Sequence, residues 1–268
     1  HDGNIRFGLG AVKGVGEAAV QSIMEERKKN GPFLGIFDFV QRVNLNACNK
    51  KNMECLALAG GFDSFPELKR EQYFAANSKG ELFLETLMRY GNRYQADKAA
   101  AVNSLFGGEN VIDVATPEIP QGVERWSDLD RLNRERDLVG IYLSAHPLDE
   151  FSIVLEHVCN TRMSELEDKA ALAGREITMG GIVTSVRRGV SKNGNPYGIA
   201  KIEDYSGSTE IPFWGNDWVT YQGYLNEGTF LYIKARCQAK QWRQDELEVK
   251  ITSMELLPDV KEELVQKI

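Results

Sequence analysis

The chain has 268 residues, enough for two domains, with 32 Lys and Arg against 39 Asp and Glu and a net charge of −7. That balance excludes a uniformly basic nucleic-acid binder, so any such binding has to come from local patches and be sensitive to salt. Four scattered cysteines without a CxxC and three histidines without zinc spacing offer no metal set, and there is no signal peptide or apolar run of membrane length, which together suit a reducing, cytoplasmic setting.

Ile5 to Leu9 is a short apolar lead-in, and a helix is expected from about Gly16 to Lys29, with Val15, Ala19, Val20 and Ile23 recurring at helical spacing. Gly14-Val15-Gly16 sits where that helix starts. Glycine there permits backbone angles closed to residues with a Cβ, and lets unpaired helix-start amides come close to a negative group. The turn Lys13, Gly14, Val15, Gly16 resembles the helix-hairpin-helix motif of proteins that hold the DNA backbone without reading its sequence. Two other readings stay open. Gly14-x-Gly16-x-x-Ala19 also fits a dinucleotide fingerprint, although Gly8, Gly10 and Lys13 make a poor buried strand ahead of it. The turn is otherwise a glycine-bearing helix start that binds nothing.

Gly31-Pro32 stops this helix, and Phe33 to Val43 reads as a core helix with Phe33, Ile36, Phe37, Val40 and Val43 on one face. Asn46 or Asn49 caps the next, Lys50 to Ala59, which runs into a second glycine turn at Leu58 to Asp63 with Gly60 and Gly61 adjacent. A further helix is expected near Ser64 to Pro66. Two such half-motifs would straddle a minor groove, with Lys13, Lys50 and Lys51 as the nearest cations, each equally readable as a solvated lysine. Residues 68–99 read as a long helix with a stripe of Leu82, Phe83, Leu87, Tyr90 and Tyr94, ended by Ala96 and Ala99 to Ala101.

The acidity lies in the middle: residues 76–174 hold 10 basic and 17 acidic side chains, whereas residues 1–75 hold 10 and 9 and residues 175–257 hold 10 and 10. Adjacent Leu105-Phe106 stand in a linker, where an apolar pair marks a docking site or tucks under the neighbouring helix. Residues 126–145 read as helix from a Ser127 cap. Asp128 and Asp130 are two apart, so on a helix they point to different sides and cannot share a metal ion; they read as acids favoured by the helix dipole. Short helices follow over residues 149–169.

From Arg175 the period becomes two. Strands are expected at 177–188, with Gly180-Gly181 allowing a sharp bend, then at 197–204 and 209–214, a helix at 216–225, and strands at 229–238 and 246–256. Three strands, a helix and two strands is the order of an oligonucleotide-binding (OB) fold, whose ligand face lies on strands two and three and the turns after strands one and four. That places Arg187, Arg188, Lys192, Tyr197, Lys201, Phe213, Trp214, Trp242 and Arg243 near one groove. There cations would track phosphates and aromatic faces would stack bases, with only one of Phe213 and Trp214 facing out and Trp242 the most exposed ring.

Taken together, Ile5 to Gly16 (IRFGLGAVKGVG), Asn30 to Phe33, Phe37 to Phe39, Leu58 to Asp63 (LAGGFD), Gly140 to Asp149 (GIYLSAHPLD) and Gly181 to Ser185 resemble the C-terminal part of bacterial DNA polymerase III alpha subunits. The start at His1 fits an excised piece of such a protein. The resemblance implies a multidomain chain: an all-α tandem helix-hairpin-helix domain over residues 1–101, a linker over 102–174, an all-β OB barrel over 175–257 and a tail over 258–268. It implies a sliding-clamp-binding peptide at Val102, Asn103, Ser104, Leu105 and Phe106, with Val102 standing where the family commonly has Gln. The implied role is non-catalytic, with the polymerase centre upstream, no cofactor or metal, and double-stranded DNA, single-stranded DNA, the clamp and other replisome subunits as partners. The rival readings are a replisome interaction module without a direct DNA role, and a nucleotide-binding enzyme.

Overall fold

The computed structural model describes residues 7–103, 114–240 and 243–266. The chain divides into two compact units, His1–Ser144 and Ala145–Ile268.

In the first unit a 3-10 turn (Leu9–Ala11) leads into α1 (Glu17–Asn30), which ends at Gly31 with φ 82. Next come α2 (Ile36–Arg42) and α3 (Lys50–Leu58), the latter capped by Asn49, whose side chain accepts the Asn52 amide. Ala19 and Ile23 of α1, Ile36 and Val40 of α2, and Met53 and Leu56 of α3 meet in one core. Of the expected face on α2, Ile36, Val40 and Val43 are buried, while Phe33 and Phe37 pack half-buried against the core.

Two expectations fail here. No helix begins near Ser64 to Pro66, where the chain runs through turns as far as Lys69, and the long helix is broken in two: α4 (Arg70–Tyr73), then a bend in which Ala76 pairs with Leu82, then α5 (Phe83–Asn103). The break is local chemistry. The Asn77 side chain accepts the amides of Lys79 and Glu81, and Gly80 takes φ +78, so the chain turns back on itself. The alanines at 99–101 lie inside α5 instead of ending it, as the best helix-forming residue should.

The next helix, α6 (Asp128–Val139), is shorter than expected because Gly140 adopts a left-handed conformation at φ 90. Ser127 caps it by accepting the Asp130 amide, and Asp128 pairs with Arg131. Fully buried Glu135 accepts the amides of Leu143 and Ser144, the Ser144 hydroxyl and the Arg70 guanidinium, so the segment after Gly140 is pinned to the helices.

In the second unit α7 (Ser152–His157) and a 3-10 turn (Met163–Glu167) precede the sheet. Its strands are β1 (Glu176–Val190), β2 (Pro196–Asp204), β3 (Gly207–Trp214), β4 (Phe230–Lys240) and β5 (Arg243–Leu256), all antiparallel in the order β3-β2-β1-β4-β5. Helix α8 (Asn216–Tyr221) joins β3 to β4, and α9 (Leu257–Val265) packs against β4 and β5. This is the expected all-β OB order beside an all-α region.

β1 is continuous through Gly180 and Gly181, passing from β4 (residues 176–182) to β2 (residues 182–190) beside them, with its register irregularity at Val183/Ser185. A Cβ on Gly180 would overlap the Leu155 side chain, and one on Gly181 would meet the Glu203 carbonyl at 2.7 Å. The pair therefore also lets neighbouring elements come close. Among the described residues no helix is long and apolar enough to cross a membrane.

Candidate nucleic-acid interface

At the first glycine turn the two glycines do different work. Gly14 has φ +86, and a Cβ there would meet Cys55 Sγ at 2.6 Å, so the fold itself requires glycine. Gly16 caps α1 at φ −75 and ψ 153, angles open to any residue, and a Cβ on it would come no closer than 3.9 Å to Asn52 Oδ1. Its openness is toward whatever approaches from outside.

The amides around this turn are divided. The Lys13 amide donates to the Leu138 carbonyl at 2.8 Å, Val15 to Val12 at 3.0 Å, and Gly16 to the Asn52 side-chain oxygen at 2.8 Å. The expectation that Gly16 offers a free donor is therefore corrected. The amides of Gly14, Glu17 and Ala18 bond no protein acceptor among the described residues. Val15 packs into the core, while Lys13 and Lys51 are exposed and form no ion pair among the described residues. The Lys51 stem lies beside the turn, its Cε 3.8 Å from where a Gly14 Cβ would be. Lys50 is already engaged: it donates to Glu85 at 2.5 Å, and that bond raises the ammonium pKa above its usual range.

The second glycine turn is closed. Gly60, at φ +81, donates to the Ala57 carbonyl at 3.3 Å, and Gly61 to Leu56 at 2.7 Å. This is the two-bond stop of a helix C-terminus, and it uses the amides that a phosphate would need. Arg70 lies across it, donating to Asp63, to the Leu58 carbonyl and to Glu135. Gly60 and Gly61 end α3; they are not anion donors in this conformation.

On the sheet, alternation sorts the candidate groove residues. Gly189, Tyr197 and Trp214 stand opposite one another on β1, β2 and β3, followed by a row of Arg187, Ile199 and Pro212 and a row of Ser185, Lys201 and Glu210. Trp214 is 55% exposed, and its ring lies 4.8 Å from that of Tyr197. Phe213 is 1% exposed, in the core 6.2 Å from Tyr221, and is removed from the groove. Arg187 bonds Glu210 at 2.6 Å, so that part of the face is charge-matched. Arg188 lies on the opposite side of the strand, bonded to Asn226 with its guanidinium 5.8 Å from the Trp218 ring, and is likewise removed. Lys192 is exposed in the β1–β2 turn.

Trp242 lies outside the described residues, as do Ser104, Leu105 and Phe106; Val102 and Asn103 fall at the end of α5, and Arg243 opens β5. Asn52, which accepts the Gly16 amide at the first glycine turn, is the residue that sequence reading passed over. The available signal was an Asn three places after a helix cap, and it reads as an ordinary helix residue until the Gly16 bond is seen.

Comparison with known proteins gives a helix-hairpin-helix motif over residues 1–73 and an OB-fold nucleic acid binding domain over residues 177–257. The chain is 31% identical over 234 residues to the DNA polymerase III subunit alpha of Pasteurella multocida, covering 87% of this chain and 19% of that protein. It is 30% identical over 247 residues to the same subunit of Mycobacterium tuberculosis, covering 90% of this chain and 20% of that protein. The chain thus spans about a fifth of the length of the curated relatives it matches. Among solved structures, the mitochondrial single-stranded DNA binding protein Rim1 of S. cerevisiae is 17% identical with a TM-score of 0.24, covering 31% of this chain and 96% of that one.

Proposed function

We propose, taking as premise that the chain is a homologue of DNA polymerase III alpha subunits, that it is the non-catalytic C-terminal part of such a polymerase and binds DNA through both units. The observation that carries the reading is the continuity of the homology, which runs through the helix-hairpin-helix match and the OB match together. In the helical unit, the unbonded amides of Gly14, Glu17 and Ala18, with Lys13 and Lys51 beside them, meet a backbone phosphate of duplex DNA. This lets a chain of net charge −7 hold a polyanion by local donors rather than by an overall field. In the sheet unit, Trp214 and Tyr197 offer stacking surfaces to single-stranded template, and Lys192 and Lys201 offer cations to its backbone. The stretch Val102 to Phe106 docks the sliding clamp through Leu105 and Phe106, between a DNA-gripping region at 1–101 and a barrel at 175–257.

Fluorescence anisotropy with labelled single-stranded, duplex and primed DNA, at two salt concentrations, tests this. Primed DNA should bind tightest, because it engages both units, and every affinity should fall steeply with salt. Retention of a clamp on immobilised chain should disappear when Leu105 and Phe106 are both changed to Ala, with DNA affinity untouched. Absence of binding to all three DNAs at low salt overturns the DNA role and leaves a protein-interaction module.

A further inference from the structure

We propose that Asn52 is the positioning residue of the first glycine turn: it holds the Gly16 amide away from the ligand so that the amides of Gly14, Glu17 and Ala18 remain as donors. The inference rests on the duplex-binding reading above and deepens it. Asn52 is 6% exposed, and its side-chain oxygen and both amide hydrogens are engaged. Its Oδ1 accepts the Gly16 amide at 2.8 Å, and its Nδ2 donates to Asn49 Oδ1 at 2.9 Å and to the Ala47 carbonyl at 3.3 Å. Asn49 Oδ1 in turn accepts the Asn52 amide at 3.2 Å, the cap of α3.

One pair of asparagines therefore ties the start of α1 to the start of α3 across 36 residues of sequence. Swinging Asn52 away to release Gly16 would break three bonds and leave buried polar groups without partners, at about 1–3 kcal/mol each. The Gly16 amide is thus fixed as a protein contact. The neighbouring residue, Lys51, places its stem beside Gly14, so consecutive residues of α3 bring the tie and a cation to the same turn.

The first experiment needs no substitution. In a 15N titration of the chain with a short duplex, the Gly14, Glu17 and Ala18 amides should shift, while the Gly16 amide keeps its slow hydrogen exchange. Transfer of the Gly16 amide from Asn52 to the DNA would overturn the proposal. Asn52→Leu should then expose Gly16 to fast exchange, leave the α3 amides protected, and weaken duplex binding about tenfold through lost registration of the donors. Asn52→Asp keeps an acceptor for Gly16 but gives up both donations and sets its second oxygen against Asn49 Oδ1 and the Ala47 carbonyl, so Gly16 should lose less protection than in Asn52→Leu; its added charge should weaken duplex binding at low salt, with the difference closing as salt rises. Unchanged duplex affinity in both variants overturns the positioning role. Gly16→Val separates this failure from that of the underlying reading. Its Cβ would come no closer than 3.9 Å to Asn52 Oδ1, so, with folding and Gly16 protection checked by exchange, undiminished duplex binding in that variant means the turn does not hold DNA, whereas weakened binding there beside unchanged Asn52 variants means only that Asn52 does not position it.

Discussion

Gly14 and Gly60 share a left-handed backbone, a glycine close behind, and a place beside α3, yet only the first turn keeps donors to spare. At the first, the chain is entering a helix, so the amides of its opening turn have no carbonyl to meet. At the second, the chain is leaving one, and the same residue type folds its amides back onto Leu56 and Ala57 while Arg70 lies across the outside. A glycine turn before a helix and a glycine turn after one are opposite objects electrically. The pseudo-symmetry that a pair of glycine turns suggests in sequence is not matched by equivalent donors.

The seal on the second turn gives the largest effect. Glu135→Ala removes the shared acceptor of Arg70 and of the Leu143 and Ser144 amides, leaving Arg70 with Asp63 and the Leu58 carbonyl, and should cost about 3–5 kcal/mol in chemical denaturation. The same carboxylate sets an acid dependence. Burial pushes its pKa up, but the hydrogen bonds from Ser144, Arg70 and Leu143 outweigh that and hold it below the usual carboxylate range. Its contribution should therefore be whole above the unfolded value of about 4.3 and be lost as pH falls through the folded value. Glu135→Gln should lose less stability over that interval, and an identical acid profile would contradict this.

The contrast of open and closed extends to neighbours on β3. Trp214→Ala should weaken single-strand affinity by about 1–3 kcal/mol and barely move the melting temperature. Phe213→Ala should do the reverse, destabilising the sheet unit by about 3–5 kcal/mol. Equal effects of the two on single-strand binding would erase the distinction.

Gly14→Ala and Gly60→Ala should each destabilise the helical unit by about 1–2 kcal/mol, since both sit at positive φ with a neighbour in the way. Only Gly14→Ala should also weaken duplex binding once the folded fraction is matched. A comparable loss with Gly60→Ala would break the comparison of the two turns. The smallest effect comes from Glu17, an exposed acid in the first turn of α1. Glu17→Gln should strengthen duplex binding about two- to fivefold at low salt, and cost a few tenths of a kcal/mol in helix stability.

Much of this was legible in the sequence because it is local. The Gly-x-Gly before an amphipathic stripe, the switch to a period of two at Arg175, and the helix after the third strand all show within short windows. What escaped is what the chain brings together from afar. The Gly16–Asn52 bond spans 36 residues and the Arg70–Glu135 pair 65, and neither leaves a periodic mark. The bend at Asn77 to Gly80 escaped for another reason: the apolar spacing around it is helical, and two turn-forming residues override it. On β3 the alternation allowed one outward ring, but only the register says that it is Trp214.

The Tyr197 ring is the one that would collide with a Cβ on Gly189, and its other neighbour on the sheet is the Trp214 ring, 4.8 Å away. The bare backbone of Gly189 is thus what leaves room for Tyr197 beside Trp214. Whatever entropy is lost in setting the two rings against each other is lost on folding, so it would not be lost again if a planar group came to rest on Trp214.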